Sequence, residues 1–246
     1  MWVLSFEEVA REVAALCERI NYELPPEVLA ALERARREEA SELGREALEL
    51  ILRNAEIARR ERIPLCQDCG LAVIFVQQGH EVRVEGGLRA ALTEGVRRGY
   101  RALRKSTCHP LTRRNLGDNT PPIVHHEEVP GDRLRIRVMA KGGGSENASA
   151  LRMLSPSGGW PAIRRFVLEP VDRWGANACP PLFVGVGIGG NLERAALLAK
   201  RALLRLRPHP ELAAQEAELL RAVNDLGIGP LGYGGRNTAL GVFLET

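Results

Sequence analysis

Aromatic side chains are scarce. Phe, Trp and Tyr together make up 4% of the 246 residues, too few for the stacking platforms and base-binding sheets that grip single-stranded nucleic acid. Long apolar runs are also missing. The run Leu71–Val76 ends after six residues, far short of the about 18 that a membrane span needs. No basic stretch leads into an apolar one near the start, so neither a secretory signal nor a membrane location is expected. Neither sign of charge dominates. The net charge is +3 and is spread along the chain, which argues against nucleic acid as a partner. Lysine occurs only at Lys105, Lys141 and Lys200, and arginine supplies the remaining positive charge.

Cysteine is limited to Cys17, Cys66, Cys69, Cys108 and Cys179. The number is odd, and a chain of this length folds without disulfide staples. A reduced, cytoplasmic compartment follows, in which cysteines are free, catalytic or metal-bound. The remaining composition, 45% hydrophobic and 26% charged, is that of a globular protein with a sizeable core.

Residues 1–63 read as a helical section. Ser5 and Glu8 fit a capping box ahead of Val9, Val13, Leu16 and Ile20 at helical spacing. Cys17 lies beside that stripe and needs only to be a small buried hydrophobe. Pro25-Pro26 separates a second helix, and apolar spacing resumes beyond Gly44. From Pro64 to Thr246 the character is α/β, continuous with the helical section in one domain. Leu71–Val76 and Val82–Val84 suggest a short strand pair. Leu88–Leu103 is helical, and Lys105–Pro122 is a long polar loop of the kind that carries function. Val124–Val129 and Leu134–Met139 read as strands joined by the turn Pro130-Gly131-Asp132. Arginines 133, 135 and 137 alternate with Leu134, Ile136 and Val138, so one face of that strand is wet. Helices over 161–174, 191–206 and 211–226 and strands over 182–186 and 239–245 complete a mixed α/β (α+β) fold.

Two motifs invite chemistry on their own. Gly185-x-Gly187-x-x-Gly190 matches a dinucleotide fingerprint, but the following helix leads to Pro208-His209-Pro210 and another helix instead of a second strand. Close strand-to-helix packing is the simpler reading. Cys66-Gln67-Asp68-Cys69 is a CxxC, open to a redox or half-zinc reading. It lacks a second CxxC or a spaced histidine pair; His125 and His126 are adjacent on a strand and point to opposite faces. Cys66 and Cys179, each beside a turn and about a hundred residues apart, suit an iron–sulfur cluster held from separate loops.

The chain resembles the α subunit of class I, iron–sulfur-dependent fumarate hydratases, a group that includes L-tartrate dehydratase. The resemblance spans nearly the whole chain. It rests on residues 64–70 (PLCQDCG), 117–121 (GDNTP), 140–147 (AKGGGSEN), 178–181 (ACPP), 185–190 (GVGIGG) and 227–236 (GIGPLGYGGR). The resemblance implies a [4Fe–4S] cluster held by three cysteines, with Cys66 and Cys179 as two of them. The third ligand is expected beyond Thr246, with substitution by Cys69 or Cys108 as the alternative; family members usually carry Thr at the position of Cys69.

By the same resemblance, Gln67, Arg104 and Gly144 contact substrate and Asp68 is catalytic, assisting proton transfer or positioning the hydroxyl. Lys141 and Asn119-Thr120 would support them. Arginine suits a dicarboxylate because its guanidinium binds a carboxylate through two parallel hydrogen bonds. The implied reaction is reversible hydration of fumarate to L-malate, with the base supplied by a β subunit in an α2β2 assembly. L-Tartrate dehydration and a non-catalytic, cluster-free subunit are the alternatives.

Overall fold

The computed structural model describes residues 2–246. The chain divides into two compact units. The first comprises the residues up to Leu24 together with Ala55–Gly143; the second comprises Pro25–Asn54 and Gly144–Thr246. The helical first 63 residues are therefore shared between the units.

In the first unit, β1 (Trp2–Leu4) leads into α1 (Phe6–Tyr22). The capping box forms as expected: Ser5 Oγ accepts the Glu8 N–H at 3.1 Å and Glu8 accepts the Ser5 N–H at 3.0 Å. Val9, Val13 and Cys17 turn into the core. They meet α4 (Leu88–Gly99), whose Gly95 and Gly99 lie on the α1-facing side. A Cβ on Gly95 would stand 2.8 Å from the Ala10 carbonyl oxygen, and one on Gly99 would stand 2.7 Å from that of Ala14. The glycine pair sets how closely the two helices pack.

The sheet of this unit has the order β4–β2–β5, from β2 (Leu71–Gly79), β4 (Ile123–Val129) and β5 (Leu134–Lys141). The proximity of β4 and β5 in sequence suggests a hairpin, but β2 lies between them, parallel to β4 and antiparallel to β5. The composition of β2 explains this. Val73, Ile74 and Val76 are all buried, so the strand is apolar on both faces and takes the centre. On β5, Leu134, Ile136 and Val138 pack on the core while Arg135 and Arg137 are exposed, as their alternation predicts. The expected pairing of β2 with β3 (Val82–Val84) does not occur; β3 pairs in parallel with β1, a strand the sequence reading missed. Three residues are too few for a periodicity to register.

The second unit contains α2 (Pro26–Glu38), the first part of α3 (Glu42–Glu61), and α5 (Gly143–Asn147) from its second residue onward. It continues with α6 (Gly159–Trp174), β6 (Leu182–Gly187), α7 (Leu192–Ala202), α8 (Ala213–Asn224) and β7 (Ala239–Glu245). β6 and β7 form a parallel pair. Val167 and Val171 of α6, Leu219 and Val223 of α8, and Val242 and Leu244 of β7 build its core. The glycines of the fingerprint-like motif act here as spacers. A Cβ on Gly185 would lie 2.2 Å from the Ala199 carbonyl oxygen and one on Gly187 would lie 2.1 Å from that of Ala195. Both glycines let α7 sit directly on β6.

Candidate active site

The segment 64–70 enters β2 through a turn that ends at Gly70. There φ is +69°, and a Cβ would collide with the Lys141 backbone at 2.7–2.8 Å. Only glycine permits this crossing. It brings Asp68 beside the turn that follows β5. The Gly143 N–H donates to Asp68 Oδ2 at 2.6 Å, while Ser106 Oγ and the Gly70 N–H donate to Oδ1 at 2.9 and 3.0 Å. Burial pushes the Asp68 carboxyl upward. The hydrogen bonds from Gly143, Ser106 and Gly70, with the nearby charge of Arg104, outweigh it and hold the group below the usual carboxylate range.

Asn119 ties the neighbouring loop to the same point. It is buried, with φ at +59°. Its Oδ1 accepts from the N–H groups of Ser106 and Thr107 at 2.8 and 3.0 Å and from Thr107 Oγ1 at 3.0 Å. Its Nδ2 donates to the Gly70 carbonyl at 3.0 Å. Asn tolerates the left-handed conformation better than most residues, which suits it to this post. Asp118 steadies Asn119 from the other side by accepting from Thr120 N and Oγ1 and from Arg97 Nε.

The cysteines sort by exposure. Cys66 is exposed; its sulfur lies 3.4 Å from the donating Asp68 N–H and 3.5 Å from Gln67 Oε1. An N–H directed at a cysteine sulfur is a common outer contact of a metal-bound thiolate. Cys69 turns inward, and burial pushes its thiol up. Tyr100, fully buried, donates to the Cys69 carbonyl at 3.0 Å and fixes that inward turn. Cys17 is fully buried and its thiol is pushed up to about 12 by burial. Cys108 is half-buried in the polar loop. In the second unit, Cys179 is exposed in the left-handed conformation (φ 56°, ψ 63°), between a short 3-10 turn, Gly175–Ala178, and Pro180-Pro181. Its neighbour Asn177 has its carbonyl 3.6 Å from where a Cβ on Gly144 would sit.

Gln67, Asp68, Arg104 and Cys66 thus gather in the first unit, while Gly144 and Cys179 belong to the second. Arg104 is exposed close to Asp68. The sequence reading did not foresee Ser106, Gly70 and Gly143 as the partners of Asp68; the serine in a polar loop and the glycines at both crossings were the available signals. An open-cornered cluster needs thiolates at three corners. Cys66 in the first unit and Cys179 in the second are each an exposed thiol of the kind such a corner uses, and among the described residues no group of three His, Cys, Asp or Glu side chains is assembled for a metal. No helix of the described residues is long and apolar enough to cross a membrane.

Comparison with known proteins places this geometry in a family. The chain is 41% identical over 235 residues to a putative L(+)-tartrate dehydratase subunit alpha from Methanocaldococcus jannaschii, covering 90% of this chain and 82% of that protein. It is 33% identical over 244 residues to an L(+)-tartrate dehydratase subunit alpha from Escherichia coli, covering 95% and 80% respectively. The fumarate hydratase (Fumerase) family matches residues 10–246, a span that includes both exposed cysteines and the Asp68 cradle, and this chain belongs to it.

Proposed function

We propose that this chain is the α subunit of an iron–sulfur hydro-lyase that interconverts fumarate and L-malate, working with a β subunit in an α2β2 assembly. The observation that carries the reading is the Asp68 cradle. A fixed carboxylate, an exposed arginine and an exposed cysteine stand within one loop cluster of a fumarate hydratase family member. Cys66 and Cys179 would hold the [4Fe–4S] cluster. When bound, the cluster supplies a Lewis-acidic iron that polarises the bond between C2 and the substrate hydroxyl.

The residues of this chain divide the remaining work. Arg104 binds a substrate carboxylate through paired N–H groups. Gln67 offers an amide to the same molecule. Gly144 lets the substrate come near the main chain. Asp68, kept ionised by its three donors, accepts a hydrogen bond from the hydroxyl and orients it, and the departing hydroxide takes up a proton from solvent to leave as water. The proton removed from C3 goes to a base on the β subunit.

A second reading is L-tartrate dehydration, favoured by the names of the relatives at 41% and 33% identity. Tartrate differs from malate by one hydroxyl, which few side chains read. The test is co-expression with a candidate β subunit, anaerobic supply of iron and sulfide, and assay of L-malate, fumarate and L-tartrate side by side. Turnover of malate and fumarate with iron-dependent colour supports the first reading. A preference for tartrate selects the second. A colourless complex inactive on all three supports a non-catalytic subunit.

A further inference from the structure

Glu39 is a buried carboxylate that the proposed chemistry leaves unused. It follows α2 directly and is 2% exposed. Its partners lie almost two hundred residues away. The Arg236 N–H donates to Oε1 and Oε2 at 2.9 and 3.1 Å, and the Asn237 N–H and Nδ2 donate to Oε2 at 3.0 and 2.8 Å. The Ser41 N–H adds a contact to Oε1 at 3.0 Å. Burial pushes the Glu39 carboxyl up, but these donors prevail and keep it ionised below the usual range. The loop is shaped around it. At Gly235 φ is +127°, and a Cβ would fall 2.5 Å from Glu39 Oε1.

The captured loop reaches Cys179. Gly234 N–H donates to the Ile228 carbonyl at 2.8 Å, which closes the loop on itself. Leu231 N–H donates to the Pro180 carbonyl at 2.7 Å, and a Cβ on Gly232 would lie 3.3 Å from the Ala176 Cβ. The loop therefore lies against residues on both sides of Cys179. That cysteine is held in a left-handed conformation that costs a non-glycine residue free energy and persists only where its surroundings impose it.

We infer that Glu39 is the positioning residue for the Cys179 thiol, acting through residues 227–237 and the Leu231–Pro180 hydrogen bond. The inference rests on the reading of Cys179 as a cluster ligand only for its purpose; the mechanical link stands on contacts within the second unit. It also gives the 227–236 motif a role.

The test uses the full-length, metal-free chain and its Glu39→Gln and Glu39→Asp variants. Alkylation rates of Cys179 and Cys66 are followed peptide by peptide with iodoacetamide, alongside amide hydrogen exchange. Replacing a charged acceptor of several N–H groups should raise opening of the 236 and 237 amides by about tenfold or more. In Glu39→Gln, Cys179 alkylation should change at least about threefold with the loop, while Cys66 and the amides of β6 and β7 keep their wild-type rates. Glu39→Asp should restore part of the difference. An unchanged Cys179 rate with a loosened 227–237 loop would confine Glu39 to holding its own loop and overturn the inference. Loosening of β6 and β7 to the same degree would make Glu39 a general fold residue and overturn it too. Neither result depends on turnover, so failure of the hydro-lyase assay is read separately.

Discussion

The Nδ2 of Asn119 donates to the Gly70 carbonyl at 3.0 Å, and through that bond one buried side chain fastens two loops of the site together. Its oxygen meanwhile holds the backbone of Ser106 and Thr107. Asn119→Gly keeps the φ of +59° accessible but deletes all four contacts. The chain should lose about 2 kcal/mol, read by urea unfolding. Because Ser106 loses its anchor, turnover should fall more steeply than stability alone predicts. An equilibrium ΔG equal to that of the wild type would mean that the loops hold without the clamp.

Asp68→Asn puts an amide where three donors converge. In either orientation of the amide the NH2 group would face a backbone N–H, that of Gly143 or that of Gly70, so one contact becomes repulsive. With the β subunit and cluster present, kcat/KM for malate should drop about a hundredfold or more. Near-normal kcat/KM would remove Asp68 from the reaction.

Arg104→Lys preserves charge and loses the paired donors. Arg104 is exposed, so the fold should tolerate the change. kcat/KM for the dicarboxylate should fall about ten- to a hundredfold. An unaltered value would mark Arg104 as an ordinary surface charge.

Gly144→Ala separates fold from substrate. Within the protein the new Cβ would meet only the Asn177 carbonyl oxygen, at an ordinary 3.6 Å. Melting temperature should stay within a degree or two, while KM should rise severalfold if substrate lies over this backbone. An unmoved KM would place the substrate elsewhere.

Acid should unfasten the second unit through Glu216. That carboxylate is 5% exposed and pairs with Arg205 at 2.8 Å. It also accepts from the N–H groups of His209 and Leu244. Burial raises its carboxyl and these partners, Arg205 foremost, more than compensate, so the group lies below the usual glutamate range. Its contribution is therefore complete above the unfolded value of about 4.3 and disappears as the pH falls through the lower, folded value. Glu216→Gln should cost about 2 kcal/mol at pH 7 by removing the charged acceptor of Arg205 Nη2 and of the His209 and Leu244 N–H groups, while Glu245 still pairs with Arg205 Nε, and its urea midpoint should vary less between pH 5 and 3 than that of the wild type. A parallel decline in both proteins would assign the acid sensitivity to other groups.

The elements were legible wherever a pattern was long enough. The capping box at Ser5, the helix stripe of α1 and the alternation on β5 all appear as read, because each depends on neighbours within a few residues. Pairing was less legible. The Pro130-Gly131-Asp132 turn looks like a hairpin, yet β2, apolar on both faces over Leu71–Val76, outcompetes a direct β4–β5 pair for the centre. In the site, Cys66, Gln67, Asp68 and Arg104 could be named from motifs. Ser106 and Glu39 could not, since a hydroxyl and a carboxylate in polar surroundings carry no periodic mark of the partners they meet across 38 and 197 residues.

The interleaving of the two units imposes a schedule on synthesis. All residues of the first unit have been made once Gly143 is added, so its core can close while the remainder is still being translated. The residues 25–54 of the second unit must wait. At about 5–20 residues per second, the partners of Glu39 near position 236 arrive roughly 5–20 s after that point. During this interval the apolar side of α2, with Ala31, Leu32 and Ala35, stays uncovered by the core it will join. Chaperone engagement of the nascent chain should therefore be greatest after residue 143, and slowing the ribosome late in the message should prolong it.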